Sequence, residues 1–231
     1  MNWSGGGAHD GAVNIFVTGG TGYIGSRLIP LLAGRGHRVL ALVRPGSESR
    51  LPGDCRAVIG NALVADTFAR AATGADCLVH LAGVTRPTPG KARQFVEVDL
   101  GSVRAAVAVA LQGSVRHFVY VSVAQPAPVM RAYVEVRRRC EELLRASGLD
   151  ATIVRPWYVL GPGHRWPYLL LPAYWIARRL PATRETAERL GLVTLSEMLA
   201  SLTHAIEQPA RGVRVIDVPD VRGLGSSAAV R

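Results

Sequence analysis

IFVTGGTGYIG, residues 15–25, decides the fold. An apolar, β-branched run (Val13, Ile15, Phe16, Val17) passes without a spacer into glycines and opens onto an amphipathic segment with Ile24, Leu28, Leu31 and Leu32 on one face. That is strand, tight turn and helix, with Gly20, Gly22 and Gly25 in the G-x-G-x-x-G register of a dinucleotide-binding turn. The early glycines are expected to allow positive φ and close approach of the backbone to a pyrophosphate. The last lets the helix pack closely on the strand. Gly19, Thr21, Gly22, Tyr23, Ile24 and Gly25 are therefore expected to line the phosphates at the positive end of the helix.

Outward from this stretch, strand and helix signals alternate. Strands are expected at 13–18, 38–43, 56–60, 76–81, 115–123 and 150–154, with helices at 23–34, 63–73, 91–111 and 131–147. The strands are short continuous apolar runs, as in a parallel sheet covered on both faces. The expectation is an α/β fold, a Rossmann-type doubly wound parallel sheet with a short C-terminal substrate lobe. A glycine-rich leader at 1–12 has neither the basic start nor the apolar core of a signal peptide. The dinucleotide-binding domain is expected over 13–163 and the lobe over 164–231, with a helix at 194–207 and a last strand at 213–218. The segment 166–180, with Trp166, Tyr168, Tyr174 and Trp175 beside Arg178 and Arg179, is too short and too interrupted by prolines to span a membrane. It reads as a pocket or dimer lining, with peripheral membrane contact as the lesser alternative. Oligomeric state stays open.

The formal net charge is +10, almost all of it arginine, Lys91 being the single lysine. The arginines are scattered over several expected helices, with one run of three (Arg137, Arg138, Arg139) and no aromatic-and-basic interleaving, so no nucleic acid is expected. Cys55, Cys77 and Cys140 are odd in number and far apart, and no acid or histidine cluster has ligand spacing. They read as reduced packing residues of a cytoplasmic protein, and no metal is expected.

The second strand ends at Val43-Arg44, where a carboxylate would accept hydrogen bonds from the adenosine ribose of NAD. A cation there suits the 2′-phosphate of NADP, so NADP is expected, with NAD possible. Asn61 and Ala62 after the third strand, and Leu81, Ala82 and Gly83 after the fourth, fall at strand carboxyl ends, where open α/β sheets bind ligands. His80 reads as a satisfied core residue, His164 as a substrate contact at most, and Asp99 with Arg104 equally as a helix-surface pair or a functional one.

The fifth strand ends in Tyr120-Val121-Ser122, and Tyr133 follows at a helix start with Arg137 one turn on. A serine that polarises a carbonyl, a tyrosine acting as acid or base and a cation beside it make a carbonyl reductase site. With TGGTGYIG (18–25), HLAG (80–83), YVSVA (120–124), the helix at Tyr133 and IVRPWYVLGPG (153–163) in this order, the chain resembles the short-chain dehydrogenase/reductase superfamily, in its atypical and extended NAD(P)-binding branch. The resemblance covers about 13–207. It implies NAD(P) binding, catalysis through Ser122, Tyr133 and Arg137, and approach of the segment carrying Pro156 and Val159 to the nicotinamide. Its Y-x-x-x-K stands here as Tyr133-Val-Glu-Val-Arg137. A guanidinium holds ribose hydroxyls and lowers a phenol's pKa, yet relays protons poorly. The readings left open are an NADP(H)-dependent oxidoreductase of a small carbonyl or hydroxyl substrate, an inactive NADP(H)-sensing regulator or membrane-complex accessory protein, and a nucleotide-sugar epimerase or dehydratase.

Overall fold

The computed structural model describes residues 11–53, 55–85, 87–127, 129–162 and 189–228. The leader's first ten residues, Gly163, His164 and the aromatic segment 166–180 lie outside them. Among the described residues no helix is long and apolar enough to cross a membrane.

Seven parallel strands form one sheet. In chain order β1 is Asn14–Thr18, β2 Arg38–Val43, β3 Arg56–Ile59, β4 Cys77–His80, β5 His117–Val121 and β6 Ala151–Val154. The seventh, β9 (Val213–Ile216), completes the spatial order β3-β2-β1-β4-β5-β6-β9. The doubly wound sheet expected from the alternating pattern is present. It does not end with residue 163, because β9 pairs with β6 from Ala151↔Val213 to Val154↔Ile216. A second, two-stranded parallel sheet pairs β7 (Tyr158–Leu160) with β8 (Leu192–Thr194). The apolar pattern did not single out these three-residue strands.

Side-chain alternation sends successive residues of each strand into opposite cores. Phe16, Leu78, Phe118 and Tyr120 pack under α2 (Ala69–Ala72), α4 (Gly101–Gln112) and α5 (Arg131–Ala146). Ile15, Val17, Val79 and Val119 pack under α1 (Gly25–Gly34), α6 (Leu195–Glu207) and α7 (Val218–Ala228). Burial on both faces explains why the strands read as unbroken apolar runs. The helix expected at 63–73 is shortened: Asn61 Oδ1 accepts the Leu63 N–H and Thr67 Oγ1 donates to the Val64 carbonyl, so side chains compete with the helical ladder there. The helix expected at 91–111 is continuous but not uniform. After α3 (Ala92–Gln94) the chain runs through a π-helix, Phe95–Leu100, before α4 begins. α6 opens with a full capping box between Thr194 and Glu197.

Candidate functional site

The glycine turn joins β1 to α1 as expected, though its glycines work differently. Of those from 19 to 25, Gly19 alone takes positive φ, at +76°. A Cβ on it would stand 2.7 Å from the Leu81 and Ala82 backbone, so β4 presses directly on the turn. A Cβ on Gly25 would meet the Gly19 carbonyl oxygen at 2.5 Å, which ties the helix start to the turn. The turn closes with the Gly22 N–H donating to the Gly19 carbonyl at 3.0 Å. α1 carries no side-chain cap and no acid in its first turn. Its first turn holds Arg27 instead, which donates to the Tyr23 carbonyl at 2.7 Å and lies 4.3 Å from the Tyr23 ring centroid. A helix dipole disfavours a cation at its N-terminus unless an anion is near. Uncapped N–H groups, the absence of acids and the added arginine suit a pyrophosphate. Thr21, Tyr23 and Ile24 are half-buried around this turn and Gly22 is exposed.

Arg44 lies just beyond the carboxyl end of β2, exposed and with no carboxylate partner among the described residues. Its carbonyl accepts the Ser47 N–H across a Pro45-Gly46 turn, where Gly46 has φ +77°. Asn61 is exposed just past β3, and its side-chain oxygen is engaged by Leu63; Ala62 packs on the core beside it. Leu81 and Ala82 follow β4 half-buried.

Gly83 is small for a reason the sequence did not disclose. A Cβ there would meet Asp99 Oδ1 at 2.5 Å and Arg137 Nη2 at 2.8 Å. These two atoms form a buried ion pair 2.8 Å long. Asp99 is fully buried, so of the two alternatives for it and exposed Arg104 the surface pair is not what forms. Arg137 Nη1 also donates to Tyr120 Oη and to the Val121 carbonyl, both at 3.0 Å. Its Cζ lies 5.0 Å from the Tyr133 ring centroid, and that ring meets Phe95 edge-on at 5.0 Å. Tyr133 and Arg137 are thus brought together on α5 as expected, with Asp99 as an unexpected third member. Burial pushes the Asp99 carboxyl above the usual aspartate range, against the pull of Arg137 and of the Val84 N–H. Burial works against the Arg137 charge, but Tyr120, Tyr133 and Asp99 outweigh it and hold the guanidinium more firmly cationic than in water.

Ser122 points elsewhere. Its hydroxyl donates to Glu141 Oε1 at 2.6 Å, so its one proton is engaged in the core. Glu141, fully buried on α5, also accepts from Gln125, Arg145 and Arg155. Pro156 and Val159 follow β6. The Pro156 carbonyl accepts the Ala124 N–H at 2.9 Å, and Val159 is half-buried in β7.

His80 is the satisfied core residue expected. Ser102 Oγ donates to the Asp99 carbonyl, which leaves it to accept from His80 Nε2–H, while Nδ1 accepts from Thr18 Oγ. Burial, helped by the Arg137 charge, lowers its pKa to about 3.

Known proteins bear on this geometry. A family model described as NAD(P)H-binding matches residues 19–165. A ceramide reductase of Caulobacter vibrioides (strain NA1000 / CB15N) is 28% identical over 213 residues, covering 91% of this chain and 66% of the relative. The chain therefore spans just under two thirds of that relative's length. The uncharacterized sugar epimerase YhfK of Bacillus subtilis (strain 168) is 29% identical over 154 residues, covering 62% of this chain and 71% of the relative. In fold, the Bordetella bronchiseptica enzyme WbmH, solved in complex with NAD+, superposes with a TM-score of 0.67 at 20% identity, covering 95% of this chain and 81% of that one.

Proposed function

Because the chain belongs to the NAD(P)H-binding family, in the short-chain dehydrogenase/reductase superfamily, we propose that it is an NADP(H)-dependent oxidoreductase that reduces a carbonyl compound. The observation that carries this reading is the Tyr133 phenol on α5 with a buried cation against its ring. That pairing presents a proton donor near the carboxyl ends of β4 and β5, where an open sheet binds its ligand.

The glycine turn and Arg27 would hold the pyrophosphate, and Arg44 the 2′-phosphate that distinguishes NADP. When bound, the reduced dinucleotide supplies a hydride. Tyr133 gives its phenolic proton to the carbonyl oxygen as the new C–H bond forms, and the phenolate regains a proton from solvent. Ser122 is not assigned the polarising role, because its proton is directed to Glu141. The reductase name of the Caulobacter relative supports the direction of the reaction. It also brings ceramide-like lipids into the substrate range beside small aldehydes and ketones.

The test is NADPH consumption across such a panel. Tyr133→Phe should abolish turnover and leave NADP binding unchanged, while Arg44→Asp should weaken NADP binding by about 1.5–3 kcal/mol without a matching loss for NAD. Turnover that survives Tyr133→Phe overturns the assignment. A second reading, a dinucleotide-sensing protein without turnover, draws on the inward engagement of Ser122. It predicts tight NADP binding and no consumption with any substrate.

A further inference from the structure

An ion pair that merely fills a core has its polar atoms engaged, because each one left bare in a dry interior is costly. The pair beneath Gly83 is not of that kind. Asp99 Oδ2 and Arg137 Nε are both buried and have no partner among the described residues. One acceptor and one donor are therefore left over beside the Gly83 backbone and the Tyr133 ring. The helix carrying Asp99 is also irregular there. The π-helical stretch Phe95–Leu100 delivers a carboxylate into an otherwise apolar stripe, and π-helical segments recur at functional sites.

We infer that Asp99 is a positioning residue for the step proposed above: it holds the Arg137 guanidinium against the Tyr133 ring and offsets its charge beside the phenol that gives the proton. The inference rests on the reductase reading for its purpose and on the geometry for its content. A lone cation at this distance would draw the phenol toward phenolate. A phenolate serves oxidation of an alcohol, whereas reduction of a carbonyl needs the proton in place. Offsetting the cation favours reduction.

Among the described residues the charges around the ring are few. Arg137 approaches from α5 and Asp99 from the π-helix. Tyr120 on β5, Cys140 on α5 and His80 on β4 are buried and held neutral, the first two pushed up and the last pushed down by burial. The other charges of the first turns of α5, Arg131, Glu135, Arg138 and Arg139, are exposed to solvent.

The experiment is a pH titration of Tyr133 in the whole protein without substrate. It is read as tyrosinate absorbance of each variant minus that of the same variant carrying Tyr133→Phe. Asp99→Asn should move the midpoint down by about one pH unit or more. Arg137→Gln, which leaves the carboxylate alone, should move it up relative to the double variant Asp99→Asn/Arg137→Gln. The double variant should titrate close to the wild type. Where Asp99→Asn does not fold, the last two variants still decide, since they differ only at residue 99. Equal midpoints in those two, or an unmoved midpoint in a folded Asp99→Asn, overturn the inference. With a turned-over substrate, the pH dependence of kcat should follow the same displacement while the KM for NADPH stays within about twofold. Displaced midpoints without any turnover would uphold the role of Asp99 toward Tyr133 and reject the reductase reading. Turnover with unmoved midpoints would do the reverse.

Discussion

Two fully buried carboxylates face the inner side of α5, and they are treated oppositely. Glu141 accepts five hydrogen bonds: from Ser122, Gln125 and the Arg155 Nε on one oxygen, and from Arg155 Nη2 and Arg145 on the other. Asp99 accepts from Arg137 and Val84 on one oxygen and from nothing described on the other. Glu141 ties the ends of β5 and β6 to the helix and leaves its surroundings saturated. Asp99 holds one cation and keeps capacity in reserve beside the Tyr133 ring. A saturated buried carboxylate reads as architecture, an unsaturated one as part of a working site.

The strongest way to break this contrast is Glu141→Ala. It strips Glu141 from Arg155, whose side chain is only 17% exposed, leaving that guanidinium Asp217 at 3.6 Å, and it leaves Ser122 and Gln125 without their acceptor. Removing one member of a buried ion pair costs about 3–5 kcal/mol. Arg145 lies near the surface and can rehydrate, which places the expectation at the lower end, read as a lowered urea midpoint at constant m-value. The Tyr133 titration should stay where it is. A loss under about 1 kcal/mol, or a displaced Tyr133 midpoint, would erase the distinction between the two carboxylates.

How legible this was depends on which feature is asked about. The turn at 15–25, the alternation of strands and helices that makes a doubly wound sheet and the meeting of Tyr133 with Arg137 follow from local spacing, and local spacing is written in the chain. The Asp99–Arg137 pair joins residues 38 positions apart, so no local motif announces it. A signal did exist. Phe95, Asp99 and Val103 recur every four residues, which places Asp99 on the stripe that must face the core. An acid on such a stripe demands a buried cation, and Arg137 on the inner stripe of α5 is the matching demand. Arg104 lies off the stripe. β7 and β8 were missed for another reason, since three-residue strands carry too little pattern to separate from loop. The smallness of Gly83 was visible, but its cause was a neighbour distant in sequence.

A prediction of intermediate size sharpens the link between the site and the cofactor turn. His80 joins Thr18, at the end of β1, to Ser102 and through it to the Asp99 backbone. The folded chain keeps this imidazole neutral down to about pH 3, whereas the unfolded chain protonates it near its ordinary 6.5. Between those values the unfolded state binds the additional proton, so stability must fall as the pH falls from 6.5. At pH 5 the loss from this group is about 2 kcal/mol. Chemical denaturation at pH 7 and pH 5 should show that loss in the wild type and a smaller one in His80→Gln. Equal losses in the two proteins would remove His80 from the account and leave acid sensitivity to His117, which burial lowers to about 4.

The smallest expected effect bears on the choice of Asp99 between two arginines, Arg137 and Arg104. Arg104 is exposed on α4, and Asp99 is turned inward to Arg137. Arg104→Ala removes a solvated side chain that holds nothing in place among the described residues, and alanine is the better helix former by a few tenths of a kcal/mol. The stability change should therefore stay within about 0.5 kcal/mol, with the Tyr133 titration and NADP affinity unaltered. A loss above 1 kcal/mol would mean that the carboxylate spends part of its time turned outward along its own helix. The Arg137 guanidinium would then lack its anion for that fraction of molecules, and the Tyr133 midpoint in Arg104→Ala would move up as the carboxylate settled fully inward. The two measurements on this one variant thus test together whether Asp99 has a single orientation, on which its contrast with Glu141 depends.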